Sequence, residues 1–321
     1  MRARQDVSPR SLIRDQCRVC NRIESPRLCT LCNVVPYCCR DCMLGDRSEH
    51  RRFCRKINDA RVAICDTEGK IQSRLQEDTE NPWRWPSFHR YMEARRSEID
   101  ALIAVDTYEA YKRAWHQAKD MLLFSKEDVL GIHYYIPFLL IRLRKEQRLF
   151  DYLNWYACRP GESIRELDLP EYTKKDIFDW FDVDNNTETR GSLYFFTLLI
   201  LLKTKFLIDI YDLERPPEER GDIAKPVSRR LRNASARDLQ RFKEHLSFQI
   251  CLLHDLRNFK NPYFWQAFTQ PNRFLNVEIN PNWQQGSFEE AQFVLQKTHR
   301  AWNAIPEARA AVQDLQRRRW Q

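Results

Sequence analysis

Seven cysteines and one histidine fall into four spaced pairs between positions 17 and 54, and no other feature of this 321-residue sequence limits its folding so tightly. The pairs are Cys17-x2-Cys20, Cys29-x2-Cys32, Cys38-x3-Cys42 and His50-x3-Cys54, separated by eight, five and seven residues. A Cys-x2-Cys turn lets two thiolates grip one ion from a tight loop, and a four-residue offset puts both donors on one face of a short helix. Four pairs make two tetrahedral sites. Sulfur with a single imidazole nitrogen is the donor set that zinc takes in preference to magnesium or calcium. A segment of about 40 residues buries too little apolar surface to fold alone, whereas each structural zinc contributes on the order of 10 kcal/mol. Metal therefore substitutes for a core here, and two structural zinc ions are the expected cofactors.

The order and spacing of these ligands, with Tyr37 immediately before Cys38, resemble the MYND finger family. The resemblance covers roughly the first sixty residues. It implies an interleaved pairing, with Cys17, Cys20, Cys38 and Cys42 on one ion and Cys29, Cys32, His50 and Cys54 on the other. Cys39 is an alternative to Cys38, since it reaches Cys42 at i+3, but the spacing and Tyr37 fit the family pattern with Cys38 as ligand. Fingers of this family dock short proline-containing peptides through a glutamine right after the sixth ligand and a tryptophan four residues further on. Met43 and Arg47 stand at those positions here. Arg47 offers no flat indole wall for a proline ring, so either a different peptide preference at Tyr37, Met43 and Arg47 or a purely structural finger is implied.

Beyond the finger the composition favours helices. Glycine is scarce, at 7 residues, and aromatics reach 12%, which argues against phosphate-binding glycine loops and for heavy aromatic packing along helices. The net charge of +8 is modest for this length, so nucleic acid is not an expected partner. The N-terminal residues Met1-Arg2-Ala3-Arg4-Gln5-Asp6 lack the apolar core of a secretory signal, which points to a reducing compartment, nucleus or cytoplasm, where clustered cysteines bind metal. The apolar run Leu193–Leu202 ends at Lys203, short of the roughly 20 residues a membrane span needs.

The expected organisation is a flexible stretch over 1–16, the finger over 17–54, a helical extension and linker over 55–86, and an all-α domain over 87–321. The paired prolines and tryptophans of Asn81-Pro82-Trp83-Arg84-Trp85-Pro86 break the helix before them and mark a hinge. Apolar residues at three-to-four-residue spacing predict helices from Ser87, across Tyr108–Leu122, over Ile132–Leu143 and over Glu146–Tyr156. Ser125 with Asp128 three residues on has the form of an N-terminal cap. The acidic, Asn-rich stretch near 160–190 reads as a long irregular surface connection. Further helices are predicted over 191–213, 235–259, 288–304 and 307–320, with a loop at 214–221. Long helices with short connections suggest an array of tetratricopeptide-like character, although no clean 34-residue period supports one. The stretch Leu139–Tyr156 resembles a segment of fungal MYND-type proteins that carry a helical domain beside the finger.

No enzyme is expected. MYND fingers keep company with SET methyltransferase domains, but the Asn-His-Ser-Cys stretch of those domains is absent, as are Gly-x-Ser-x-Gly, P-loop and dinucleotide fingerprints. The remaining histidines, His89, His116, His133, His245, His254 and His299, stand singly on predicted helices. The leading expectation is a zinc-binding adaptor for protein partners, in transcriptional or ubiquitin-linked regulation. The alternatives are a methyltransferase-related protein, or a nucleic-acid-binding regulator using Arg47, Arg51, Arg52 and Arg55.

Overall fold

The computed structural model describes residues 16–22, 27–77, 82–124, 128–158, 175–179, 193–280 and 282–319. It carries a small two-cluster finger followed by helices, twelve in all among the described residues. The chain divides into two compact units, one within Leu12–Leu143 and one within Arg144–Gln321.

In the first unit, two short strands, β1 (Arg27–Leu28) and β2 (Pro36–Tyr37), pair antiparallel with Arg27 opposite Tyr37. Helix α1 (Arg40–Gly45) follows, and after the single residue Asp46 comes α2 (Arg47–Glu77). The sequence predicts a short ligand helix and a helical extension over 55–86; in the structure the two are one continuous helix of 31 residues, α2. Its buried positions His50, Cys54, Ile57, Ala60 and Ile71 recur at helical spacing, so the stripe that carries two metal donors runs on into the stripe that packs on the next helix.

That neighbour is α3 (Pro86–Val105), which starts with proline in its first turn and stops at Asp106, whose backbone is left-handed at φ 58°. Helix α4 (Tyr108–Phe124) returns along α3. Ala110, Ala114 and Ala118, four residues apart and wholly buried, give α4 a flat seam on its inner face. The stretch 82–84 is a 3-10 turn in which Trp83 packs edge-on against Phe88 at 5.0 Å. Helix α5 (Ile136–Arg142) follows a second 3-10 turn over Ile132–Tyr134. Asp128 caps that turn by accepting from the backbone N–H groups of Ile132 (2.7 Å) and His133 (2.8 Å). Ser125, the predicted capping partner, lies outside the described residues.

The second unit is built around α7 (Leu193–Leu213), in which every residue from Leu193 to Thr204 is buried. A helix apolar on all sides belongs at the centre of a bundle. Helices α6 (Glu146–Cys158), α8 (Lys225–Leu231), α9 (Ala236–Lys260), α11 (Phe288–Asn303) and α12 (Pro306–Arg319) all pack against it. One apolar helix is thus the hub of this unit, and the helices around it pack on its different sides. Helix α10 (Phe264–Thr269) supplies Phe264, Trp265 and Phe268 to an aromatic cluster closed by Trp302.

The stretch near 160–190 is mostly outside the described residues, but its part Lys175–Asp179 turns two side chains inward. Ile177 and Phe178 are 3% and 4% exposed. The buried ammonium of Lys203 donates to the carbonyls of Ile177 (2.5 Å) and Asp179 (2.9 Å), holding this turn against α7. The predicted helix end at Trp320 falls outside the described residues. Among those described, no helix is long and apolar enough to cross a membrane.

Candidate metal centre

The eight donors of the spaced pairs converge into two clusters. Cys17, Cys20, Cys38 and Cys42 form one, and Cys29, Cys32, His50 and Cys54 form the other, with the ligand atoms of each within 4.8 Å of one another. Each cluster draws one pair from a tight turn and one from a helical segment. The two Cys-x2-Cys turns are built alike. In each, the residue after the second cysteine is an asparagine with a left-handed backbone, Asn21 at φ 62° and Asn33 at φ 56°. Each donates its N–H back to the carbonyl of the first cysteine, Asn21 to Cys17 (3.0 Å) and Asn33 to Cys29 (2.8 Å). Asparagine tolerates this conformation better than most residues because its short polar side chain satisfies itself locally.

The donor pairs of the other half come from α1 and α2. Cys38 precedes α1 and Cys42 lies within it, with 3.6 Å between their sulfurs. His50 and Cys54 lie one turn apart on α2. The adjacent Cys39 is exposed and caps α1, its sulfur accepting from the Cys42 N–H at 3.5 Å, and it is not one of the four donors that converge.

The separations fit zinc. A tetrahedral ion with Zn–S bonds of about 2.3 Å holds its sulfurs about 3.8 Å apart. The observed contacts are 3.3 Å for Cys20–Cys38, 4.0 Å for Cys29–Cys54 and 3.5 Å from the Cys32 sulfur to His50 Nε2. Protonation points the same way. Burial lowers the His50 imidazole, leaving it neutral as a ligand must be. Burial pushes the Cys32 thiol up to about 12, with the neighbouring Cys29 and Cys54 adding to it. Burial also opposes ionisation of Cys17, but the backbone N–H groups of Cys20, Cys38 and Val19 outweigh it and bring that thiol down to about 6. A divalent cation is what allows four such sulfurs to be thiolates together.

Residues outside the ligand set fix the geometry. Tyr37, 3% exposed, donates its hydroxyl to Asp46 at 2.8 Å, and Arg18 pairs with the same carboxylate at 3.0 Å. Asp46 is the single residue between α1 and α2, so this triangle sets the angle between the two helices that carry Cys42 and His50. The finger is also tied to the helices of its unit. Arg18 donates to the Val105 carbonyl (2.6 Å) and Thr107 to the Val34 carbonyl (2.5 Å). Arg61, on α2, donates to the carbonyls of Leu31 (3.1 Å) and Cys32 (2.7 Å) and pairs with the buried Glu98. None of these long-range partners carries a signal in sequence. The repeated Cys-x2-Cys-Asn does, and it marks both turns.

The MYND finger model matches residues 17–54. Residues 17–54 are a MYND finger. Fingers of this family are known as protein–protein interaction modules. No curated protein and no solved structure matches the chain. Of the positions singled out for peptide contact, Met43 is 41% exposed and Arg47 is exposed, whereas Tyr37 is inside the finger and committed to Asp46. Leu44, beside Met43, is also exposed, and α1 buries none of its six residues.

Proposed function

We propose that the chain is a non-enzymatic adaptor whose finger, held by two zinc ions, docks a short peptide segment of a protein partner. The observation that carries this reading is α1. It is locked at one end by the cluster donors and at the other by Asp46, yet it turns the apolar Met43 and Leu44 to solvent. A short rigid helix that displays apolar side chains loses little entropy when a peptide covers them, which is how preorganised surfaces gain affinity. Arg47, at the start of α2, adds a charge that favours a peptide with an acidic residue beside its apolar anchor. Tyr37 contributes from inside, by holding Asp46. A regulatory complex, transcriptional or ubiquitin-linked, in nucleus or cytoplasm, is the setting we propose on the family resemblance of the finger.

The test is selection from a displayed peptide library, including proline-containing sequences, on the full-length zinc-loaded protein. Selected peptides are then measured against Met43→Glu and Leu44→Glu, with zinc content determined in each variant. Affinity should fall by about tenfold or more in both, at unchanged zinc content. Peptides that bind both variants as well as wild type would place the docking surface elsewhere.

A further inference from the structure

A hollow in the second unit gathers positive charge from three separate stretches of chain. The start of α6, the turn Lys175–Asp179 and the start of α8 surround a cavity of about 850 Å³, within the range of small-molecule sites. Among the described residues, seven cationic side chains line it against three acidic ones. Asp151 and Asp176 are engaged in building the walls, and Glu146 is buried. Asp151, 6% exposed, accepts from the backbone N–H of Lys175 (3.1 Å) and from the Gln147 amide (3.0 Å), which ties the turn to α6. Asp176 accepts from the Phe178 N–H (3.0 Å) and faces Arg230 at 3.9 Å. Glu146 is 7% exposed. On the rim, Arg144 pairs with Asp222 at 2.8 Å.

Among the described residues, three exposed cations of the lining have no acidic partner within ion-pair distance: Lys175 on the turn, and Lys225 and Arg229 one helical turn apart on α8. Like charges held around a concave surface repel one another, and the concavity focuses their field onto the space between them. A compact ligand with several negative charges is what relieves that repulsion at all three points. Phosphate suits the donors, since arginine offers a planar fork to it and lysine a mobile point charge. Among the described residues, no aromatic side chain lines the cavity to offer a nucleobase a stacking surface.

We propose that this cavity binds a compact, multiply phosphorylated polyol of the inositol polyphosphate class, with Lys175, Lys225 and Arg229 as its principal contacts. The same chemistry is presented by a free inositol polyphosphate and by the headgroup of a phosphoinositide lipid. The proposal is independent of the finger, which lies in the other compact unit.

The test is calorimetric titration of the full-length zinc-loaded protein with inositol hexakisphosphate near physiological salt. Zinc content is read before and after, because the ligand also binds metal. One saturable equivalent is expected. Lys225→Glu/Arg229→Glu should weaken it by about tenfold or more, and the milder Lys225→Gln/Arg229→Gln by a smaller factor. Arg237→Glu/Arg241→Glu, the same charge change at exposed positions of α9 that do not line the cavity, should alter it less than about threefold. The neutral pair keeps the test decisive where reversal disturbs folding. Sedimentation with vesicles containing phosphoinositide, against vesicles of phosphatidylserine alone, separates the lipid headgroup from the free polyol as the source. The proposal is overturned by no saturable binding of the polyol in either form, by equal weakening in cavity and α9 variants, or by tighter cavity-dependent binding of ATP or an oligonucleotide.

Discussion

Glu98→Ala should loosen the finger from a site outside it. Glu98 is wholly buried on α3; its carboxylate accepts from Arg61 Nε (2.9 Å) and the Gln117 amide (2.8 Å) and forms an ion pair with Arg113 at 3.1 Å. The Arg61 bond is charge-assisted and only 18% exposed on the arginine side, so its loss costs about 2 kcal/mol. Arg113 is 38% exposed, and solvent screening reduces its share to under about 1 kcal/mol. The orphaned Gln117 amide adds about 1 kcal/mol, while relief of the carboxylate's own desolvation works in the opposite direction. The net expectation is about 3 kcal/mol. The assay is urea unfolding followed by circular dichroism, read on the transition that zinc chelation shifts. Because Arg61 also holds the carbonyl of the donor Cys32, both Glu98→Ala and Arg61→Ala should speed zinc transfer to a chromogenic chelator, and the double variant should show a coupling of about 1–2 kcal/mol. Arg61→Lys should not rescue, since an ammonium cannot reach carboxylate and two carbonyls in one plane. A cost for Glu98→Ala below about 0.5 kcal/mol, with coupling near zero and unchanged zinc transfer, would refute the reasoning.

Three further outcomes follow from single residues. Burial brings the Lys203 ammonium down from 10.5 to about 7, only partly offset by Asp176 and Asp179, so between those values the unfolded chain holds more protons than the folded one and stability rises with pH. From pH 7 to 9 the gain is about 2 kcal/mol in wild type relative to Lys203→Met, and parallel pH profiles for the two proteins would contradict it. Asn33→Ala forces a less tolerant side chain into the left-handed position and should cost about 1 kcal/mol, whereas Asn33→Gly should be close to neutral; denaturation midpoints distinguish these from an Asn33 side chain that matters for itself. Trp302→Ala, at a wholly buried position against Phe268, should destabilise the second unit by about 3–5 kcal/mol in thermal or chemical unfolding, and a loss under about 1 kcal/mol would mean the aromatic cluster is not its core.

How much of the molecule is legible in its sequence depends on how local the governing physics is. Metal ligation fixes donor types at short spacings, so the donors stand out from residue identity and spacing, with the choice of Cys38 over Cys39 and the interleaved pairing supplied by the family resemblance. Long helices are legible for a similar reason: α3, α4, α7, α9 and α11 repeat an apolar period long enough to see. Helices α8 and α10 are not, because six or seven residues hold less than two turns of pattern, and the Lys225-Pro226 start of α8 reads as a loop. The continuity of α2 is hidden because His50 and Cys54 occupy its inner face where apolar residues would otherwise announce it. The turn Lys175–Asp179 looks like surface because its acidic neighbours outnumber the two side chains it buries. Arg18, Asp46, Arg61 and Glu98 act across long stretches of chain, which no spacing rule encodes. Apolar periodicity also does not distinguish a stack from a bundle with a hub; that follows from α7 being apolar on every side, a property visible in its residues once it is read as a whole helix.

The account rests on metal holding the finger, and its most direct measurement is zinc per chain by elemental analysis of the purified full-length protein, repeated on Cys42→Ser and His50→Ala. Two ions in wild type and one in each variant, with the Cys42 and His50 losses falling on different sites, is the predicted result. One ion or none in the wild-type protein, or loss of both ions from either single variant with the helices still folded, would contradict the two-site arrangement.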